Sequence, residues 1–176
     1  MKLQKHPSAI SSISILLFVV VVMVSCKISY KFSGSNIDYN RTKSISIVDF
    51  TNVAELVYPP LTQQFSQKLR DAYLRGTRLQ VLKRGGDMHL EGEITEYFIT
   101  PLGVGTDNLA SQTKLTMTIN VRFTNHKNPQ DDFEKKYTAF QTFDSSRMLS
   151  EVQDILLKSM IEEIVDNIYN ETVAKW

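Results

Sequence analysis

From Leu115 to Thr124 the chain alternates without a break. Leu115, Met117, Ile119, Val121 and Phe123 are apolar, while Thr116, Thr118, Asn120, Arg122 and Thr124 are polar. A period of two sends the two sets to opposite faces of a strand, so one side is buried and the other stays polar. A fold built on this strand needs a sheet with one covered face, and the rest of the chain must supply the cover.

Ser44 to Phe50 also alternates, with Ile45 and Ile47 on one face and Val48 and Phe50 turning to the other. Pro59-Pro60 halts extended pairing and opens a helix, because proline is tolerated in a first turn. Leu61, Phe65, Leu69, Tyr73 and Leu74 follow at helical spacing, and Gly76 stands where a C′ glycine ends a helix. Arg78 to Lys83 is a short strand, so strand, helix and strand predict a right-handed β-α-β unit with parallel strands. Arg84-Gly85-Gly86-Asp87 is a turn whose glycines supply positive φ angles.

A long strand from Met88 to about Ile99 follows. Gly92 inside it signals a bulge or a close backbone approach, and the pattern reverses near Glu96-Tyr97-Phe98 as a bulge would make it. Pro101 to Ala110 is a Gly-containing loop, and Asn128-Pro129 marks the turn before a last strand, Phe133 to about Phe143. Ser150 and Gln153 read as the capping box of a C-terminal helix. Its apolar stripe is Val152, Ile155, Leu156, Ile161, Ile164, Val165 and Ile168. The sum is an α+β two-layer sandwich in the order β-α-β-β-β-α. Its mixed sheet has four to five strands, with two helices on one face.

Ile15 to Val24 is an apolar run of ten residues behind Lys2 and Lys5. A spanning helix needs about 20 apolar residues, so this run reads as the hydrophobic stretch of a signal peptide. Met23-Val24-Ser25-Cys26 resembles a bacterial lipobox, in which the thiol is acylated and becomes the first mature residue. Cys26 is the only cysteine in the sequence. A lone exported thiol has no partner for a disulfide, and acylation removes it. Residues 1–25 are therefore read as a lipoprotein signal peptide, 26–42 as a Ser/Asn-rich lipidated tether and 43–176 as the domain. Cys26 is expected to carry a diacylglycerol and an N-acyl chain, since more than one chain is needed for stable anchoring.

Without Lys2 and Lys5, the twenty Lys and Arg residues fall to eighteen against nineteen Asp and Glu. That near-neutral balance argues against nucleic acid as a partner, which needs a basic face. His89 with Glu91 and Glu93 shares a strand face, but one His and two carboxylates lack the specificity of a metal site. A solvated face explains them better. His126 near Asp131 and Asp132 is a loop residue, and Asp144-Ser145-Ser146 is a strand-to-helix turn. No G-x-S-x-G, P-loop or H-E-x-x-H motif occurs. No metal, cofactor or enzymatic activity is expected.

The order and spacing of several pieces resemble one family. They run through Tyr30-Lys-Phe-Ser-Gly34, Ser44-Ile-Ser-Ile47, Phe50 to Pro60 and Thr77-Arg-Leu79. They continue with Gly86-Asp87, Glu91-Gly92-Glu-Ile94, Tyr97, Pro101, Phe123-Thr-Asn125 and Asp132-Phe133-Glu134, and end with Phe143-Asp144-Ser145-Ser146 and Trp176. With the lipobox and the β-α-β-β-β-α order, they resemble the LptE family of lipopolysaccharide-assembly lipoproteins in its Bacteroidetes form.

The resemblance implies a non-enzymatic protein at the periplasmic side of the outer membrane, held there by its lipid anchor. It would plug and help assemble an LptD-type β-barrel and assist lipopolysaccharide transport to the outer leaflet. Lipopolysaccharide is anionic, so its contacts should be Lys or Arg. Lys83 and Arg84 beside a turn, and Lys114 and Arg122 facing outward on a strand, are the candidates. Leu102, Val104 and Leu109 make the Pro101–Ala110 loop apolar enough to touch the barrel. The alternative is a free-standing periplasmic lipoprotein that binds a small amphipathic ligand between sheet and helices.

Overall fold

The computed structural model of the chain describes residues 37–103 and 112–173. Cys26, Val104, Leu109 and Trp176 lie outside them. In chain order the elements are β1 (Ser44–Ile47), β2 (Thr51–Asn52), α1 (Pro60–Gly76), β3 (Gln80–Leu82) and β4 (Met88–Leu102). Then come β5 (Gln112–Asn125), a single 3₁₀ turn (Pro129–Asp131), β6 (Phe133–Asp144) and α2 (Leu149–Val173).

The strands form one mixed sheet in the order β3-β1-β4-β5-β6, and the two-residue β2 adds a sixth strand by pairing with β4. β1 is parallel to both β3 and β4, so strand, helix and strand form the expected parallel unit. β4, β5 and β6 form an antiparallel meander. The architecture is α+β, with two described helices packed on one face of the sheet.

The core lies between those layers. The inward set of β5, from Leu115 to Phe123, is buried as its alternation requires, together with Ile45, Ile47, Leu90, Ile94 and Tyr97. From α1, Leu61, Phe65, Leu69 and Tyr73 reach it, and Phe50 meets Phe65 edge-on at 4.9 Å. Gly92 is needed for a close approach: a Cβ there would lie 2.2 Å from the Asn120 carbonyl oxygen and 2.5 Å from the Phe50 ring. The register of β4 slips between Ile94 and Glu96, a bulge that turns Tyr97 inward and Phe98 outward.

Several sequence expectations are corrected here. Leu74 is exposed, because α1 turns it past the edge of the buried stripe. In α2 the stripe has a different phase: Ile155 is 73% exposed, whereas Leu157 and Met160 are buried. α2 begins at Leu149, so Ser150 is inside the first turn and does not cap it. Gln153 instead donates from its side-chain amide to the Tyr97 hydroxyl at 2.6 Å. Gly76 keeps a negative φ and is the last residue of α1. Its lack of a side chain leaves room for Tyr169, whose hydroxyl donates to the Gly76 carbonyl at 2.7 Å.

Of the two turn glycines only Gly85 has a positive φ, 74°. Gly86 is required by contact, since a Cβ would meet the Ser46 amide nitrogen at 2.4 Å. β4 runs on through Leu102, so Pro101 and Leu102 belong to the strand. Ile37 and Tyr39, read from sequence as the end of the tether, pack against the core, and Thr42 is buried.

Candidate functional site

No described element covers the second face of the sheet, which is assembled from cross-strand rows. Residues directly opposite each other in antiparallel strands point to the same side. Glu91, Arg122 and Glu134 form one row, Glu93, Asn120 and Lys136 the next, then Glu96, Thr118 and Thr138. Phe98, Thr116 and Phe140 follow, and Thr100, Lys114 and Thr142 complete the face towards the β4–β5 loop.

Its two ends differ in chemistry. At the first, Arg122 donates to Glu134 Oε2 at 3.0 and 3.2 Å and to Glu91 Oε1 at 3.5 Å. Asn120 donates to the other Glu134 oxygen at 2.9 Å. The Asn120 bond and Arg122 together hold the Glu134 carboxyl below its usual range, and Glu134 and Glu91 raise the guanidinium above its own. At the other end two aromatics flank Thr116. Phe140 is 59% exposed, with the Lys114 ammonium 5.7 Å above its ring. The Thr116 hydroxyl is buried with no hydrogen-bond partner among the described residues. Between the ends, Thr118 donates to Glu96 at 2.7 Å and lies 2.9 Å from the Thr138 hydroxyl.

The four basic candidates are not brought into one site. Lys114 and Arg122 share the open face but are eight residues apart on β5, about 27 Å at strand spacing. Lys83 and Arg84 lie in the exposed turn after β3, at the sheet edge and towards the Arg122 end. Leu102 pairs with Gln112 in the last pair of the β4–β5 ladder and is half-buried.

Sequence reasoning missed the Phe98–Thr116–Phe140 row. Phe140 is the available signal, an aromatic at the polar parity of β6. Phe98 reaches that face only because of the bulge before it.

His89 lies in the same face, with Nδ1 2.8 Å from Ser46 Oγ and Nε2 3.4 Å from Glu91. Nε2 faces a carboxylate and so carries a proton, which in the neutral ring leaves Nδ1 to accept from the Ser46 hydroxyl; the Met88 carbonyl, at 3.3 Å, is that hydroxyl's other acceptor. Ser46 is buried. The trio is structural. Among the described residues no group of three or more His, Cys, Asp or Glu is placed to hold a metal ion. None of the described helices is long and apolar enough to cross a membrane.

A second feature lies at the end of the domain where the described chain begins. Asp87 caps it, with one carboxylate oxygen accepting from the Lys43 amide at 2.8 Å and from the Ser44 amide and hydroxyl at 3.2 and 3.1 Å. Its other oxygen meets the Lys127 ammonium at 3.1 Å. The Lys43 amide, Lys127 and Ser44 together bring the carboxyl down to about 2. Beside it opens a cleft of about 420 Å³ lined by residues of the 37–42 segment, the β5–β6 connection and the end of α2.

No curated protein matches the chain. Among solved structures it is similar to the rare lipoprotein B of Shewanella oneidensis, at 15% identity over 71% of this chain and 92% of that one, with a TM-score of 0.48. It is also similar to the hypothetical protein CT253 of Chlamydia trachomatis, at 12% identity over 76% and 99%, TM-score 0.48. A third is a minor lipoprotein of Acinetobacter baumannii, at 14% identity over 77% and 98%, TM-score 0.44. A family model described as "LptE: Lipopolysaccharide-assembly" matches residues 42–172, which is the described domain almost from end to end. The chain belongs to the LptE family.

Proposed function

We propose that this protein is a non-enzymatic lipoprotein of the outer membrane, anchored through acylated Cys26. It seats within an LptD-type β-barrel, helps that barrel assemble and assists lipopolysaccharide delivery to the outer leaflet. The observation that carries this reading is the family match over residues 42–172. The open face of the sheet supports it further, because a lumen-seated domain must be polar outside and still offer a few apolar anchors. Phe98 and Phe140 among threonines and ion pairs fit that requirement.

Lys114 above Phe140 and the Lys83–Arg84 turn are the phosphate contacts this reading favours. Arg122 is the weaker candidate, since Glu91 and Glu134 already compensate its charge. The test is to tag the C-terminus, extract membranes in mild detergent and identify what co-purifies. A stoichiometric large outer-membrane β-barrel is the expected partner. A chain that comes out alone would overturn the reading and turn attention to a free-standing ligand-binding lipoprotein.

A further inference from the structure

The cleft beside Asp87 presents charges of both signs around a partly apolar space. Its floor includes Met88 and Phe123, both core residues. On its rim, the Arg41 guanidinium donates to the Lys127 carbonyl at 3.3 Å. Among the described residues no carboxylate lies within ion-pair distance of it. Asp38 and Asp131 line the same cleft. Asp38 accepts from the Asn40 amide and Asp131 from the Asn125 side chain, and neither has a cation partner among the described residues. The other charged groups are already matched: Lys127 by Asp87, and Glu171 by Lys135 and the Tyr137 hydroxyl. Among the described residues, a cation with no carboxylate partner and two carboxylates with no cation partner thus border one concave, partly apolar space of about 420 Å³, within the usual size of small-molecule sites.

We propose that this cleft binds a zwitterionic aminoalkyl phosphate, the chemistry of a phosphoethanolamine head group. Arg41 takes the phosphate, Asp38 and Asp131 take the ammonium, and the glycerol backbone lies on Met88 and Phe123. The bilayer is the assigned source. Ile37 at the cleft is eleven residues beyond Cys26, so an acylated Cys26 lies at most about 40 Å away along an extended chain. Only that assignment of the source rests on the anchoring reading above. The head-group chemistry does not depend on it.

The experiment uses the full chain with its methionine methyl groups isotopically labelled, and reads the Met88 methyl by NMR. Titration with sn-glycero-3-phosphoethanolamine is expected to shift it saturably. sn-Glycerol 3-phosphate, which lacks the amine, should bind about tenfold more weakly. Arg41→Gln and Asp131→Asn should each weaken binding by a similar factor, and Lys158→Gln, at an exposed position of α2, should leave it unchanged. No saturable shift, or equal binding of the two phosphates, would overturn the proposal.

The Cys26→Ser chain, which cannot be acylated, should bind the soluble probe as well as the parent, whatever the fate of the anchoring reading. Phosphatidylglycerol vesicles carrying the acylated chain should shift Met88 only when phosphatidylethanolamine is added. No shift there, with the soluble probe still binding, would overturn the bilayer as the source.

Discussion

The two faces of one sheet show how differently the same strands can be stabilised. Towards the helices, every second residue of β5 from Leu115 to Phe123 is buried among Leu, Ile, Phe and Tyr side chains. Towards the open side, the intervening residues of the same strand make ion pairs and hydroxyl contacts, and one aromatic ring, Phe140, stands exposed. Burial of apolar area contributes several kcal/mol per large side chain, whereas exposed ion pairs contribute about 0–1 kcal/mol. The helix-side face therefore carries the stability, and the open face is free to be specified by something outside the domain.

The sharpest test of this contrast replaces one aromatic on each side. Phe65→Ala should cost about 3–5 kcal/mol, because Phe65 is fully buried against Phe50. Phe140→Ala on the open face should cost less than about 1 kcal/mol. Denaturant midpoints of the two variants compare them directly, and similar losses would erase the distinction between the faces.

Gly92→Ala and Asp87→Asn come next, with effects of similar size. In the first, the new methyl would have to displace the Asn120 carbonyl or the Phe50 ring, and a loss of about 1–3 kcal/mol is expected from overpacking. A neutral result in the same unfolding assay would mean that β4 and β5 do not approach as closely as described.

Asp87→Asn removes a charged acceptor of backbone bonds and should cost about 1.5–3 kcal/mol at neutral pH. The sign of its pH dependence follows from the carboxyl, at about 2 when folded against 3.8 for the free group. Because folding lowers it, the stabilisation is fully present above about pH 4 and is lost as the pH falls towards 2. Acid titration of stability should show that slope in the parent and a flatter one in the variant.

The smallest effect has the opposite sign. Thr116→Val removes a buried hydroxyl that has no partner among the described residues, so it should be neutral or stabilising by up to about 1 kcal/mol. A clear loss of stability would show that this hydroxyl is satisfied within the domain.

The parts of this fold that are legible in the sequence are those with a local period. The inward set of β5, the proline-opened α1 and the parallel β1–β3 pair need only alternation, helical spacing and connection handedness. The phase of α2 is harder, because its apolar residues are so numerous that Ile155 fits the stripe as well as Leu157 does. Ser150 and Gln153 have the right spacing for a cap, but spacing alone does not reveal that Tyr97 takes the Gln153 amide. Gly76 stands at the end of α1 for a reason, the Tyr169 ring, that lies 93 residues along the chain.

The candidate site is legible only in part. Lys114 and Arg122 are recognisable as outward on β5, yet the carboxylates around Arg122 come from β4 and β6 and depend on register. The cleft is invisible for the same reason, since Arg41, Met88, Phe123 and Asp131 come from segments that share no local pattern.

The proposed function, with Phe98 and Phe140 as its apolar anchors, implies that the open face, not the helical layer, meets the barrel. Photo-crosslinking in intact cells tests it most directly, with a photoreactive residue at Phe140 in one chain and at Leu74, exposed on α1, in another. The account predicts a crosslink from position 140 to a large outer-membrane β-barrel and little or none from position 74. Crosslinks from position 74 with none from position 140 would contradict it.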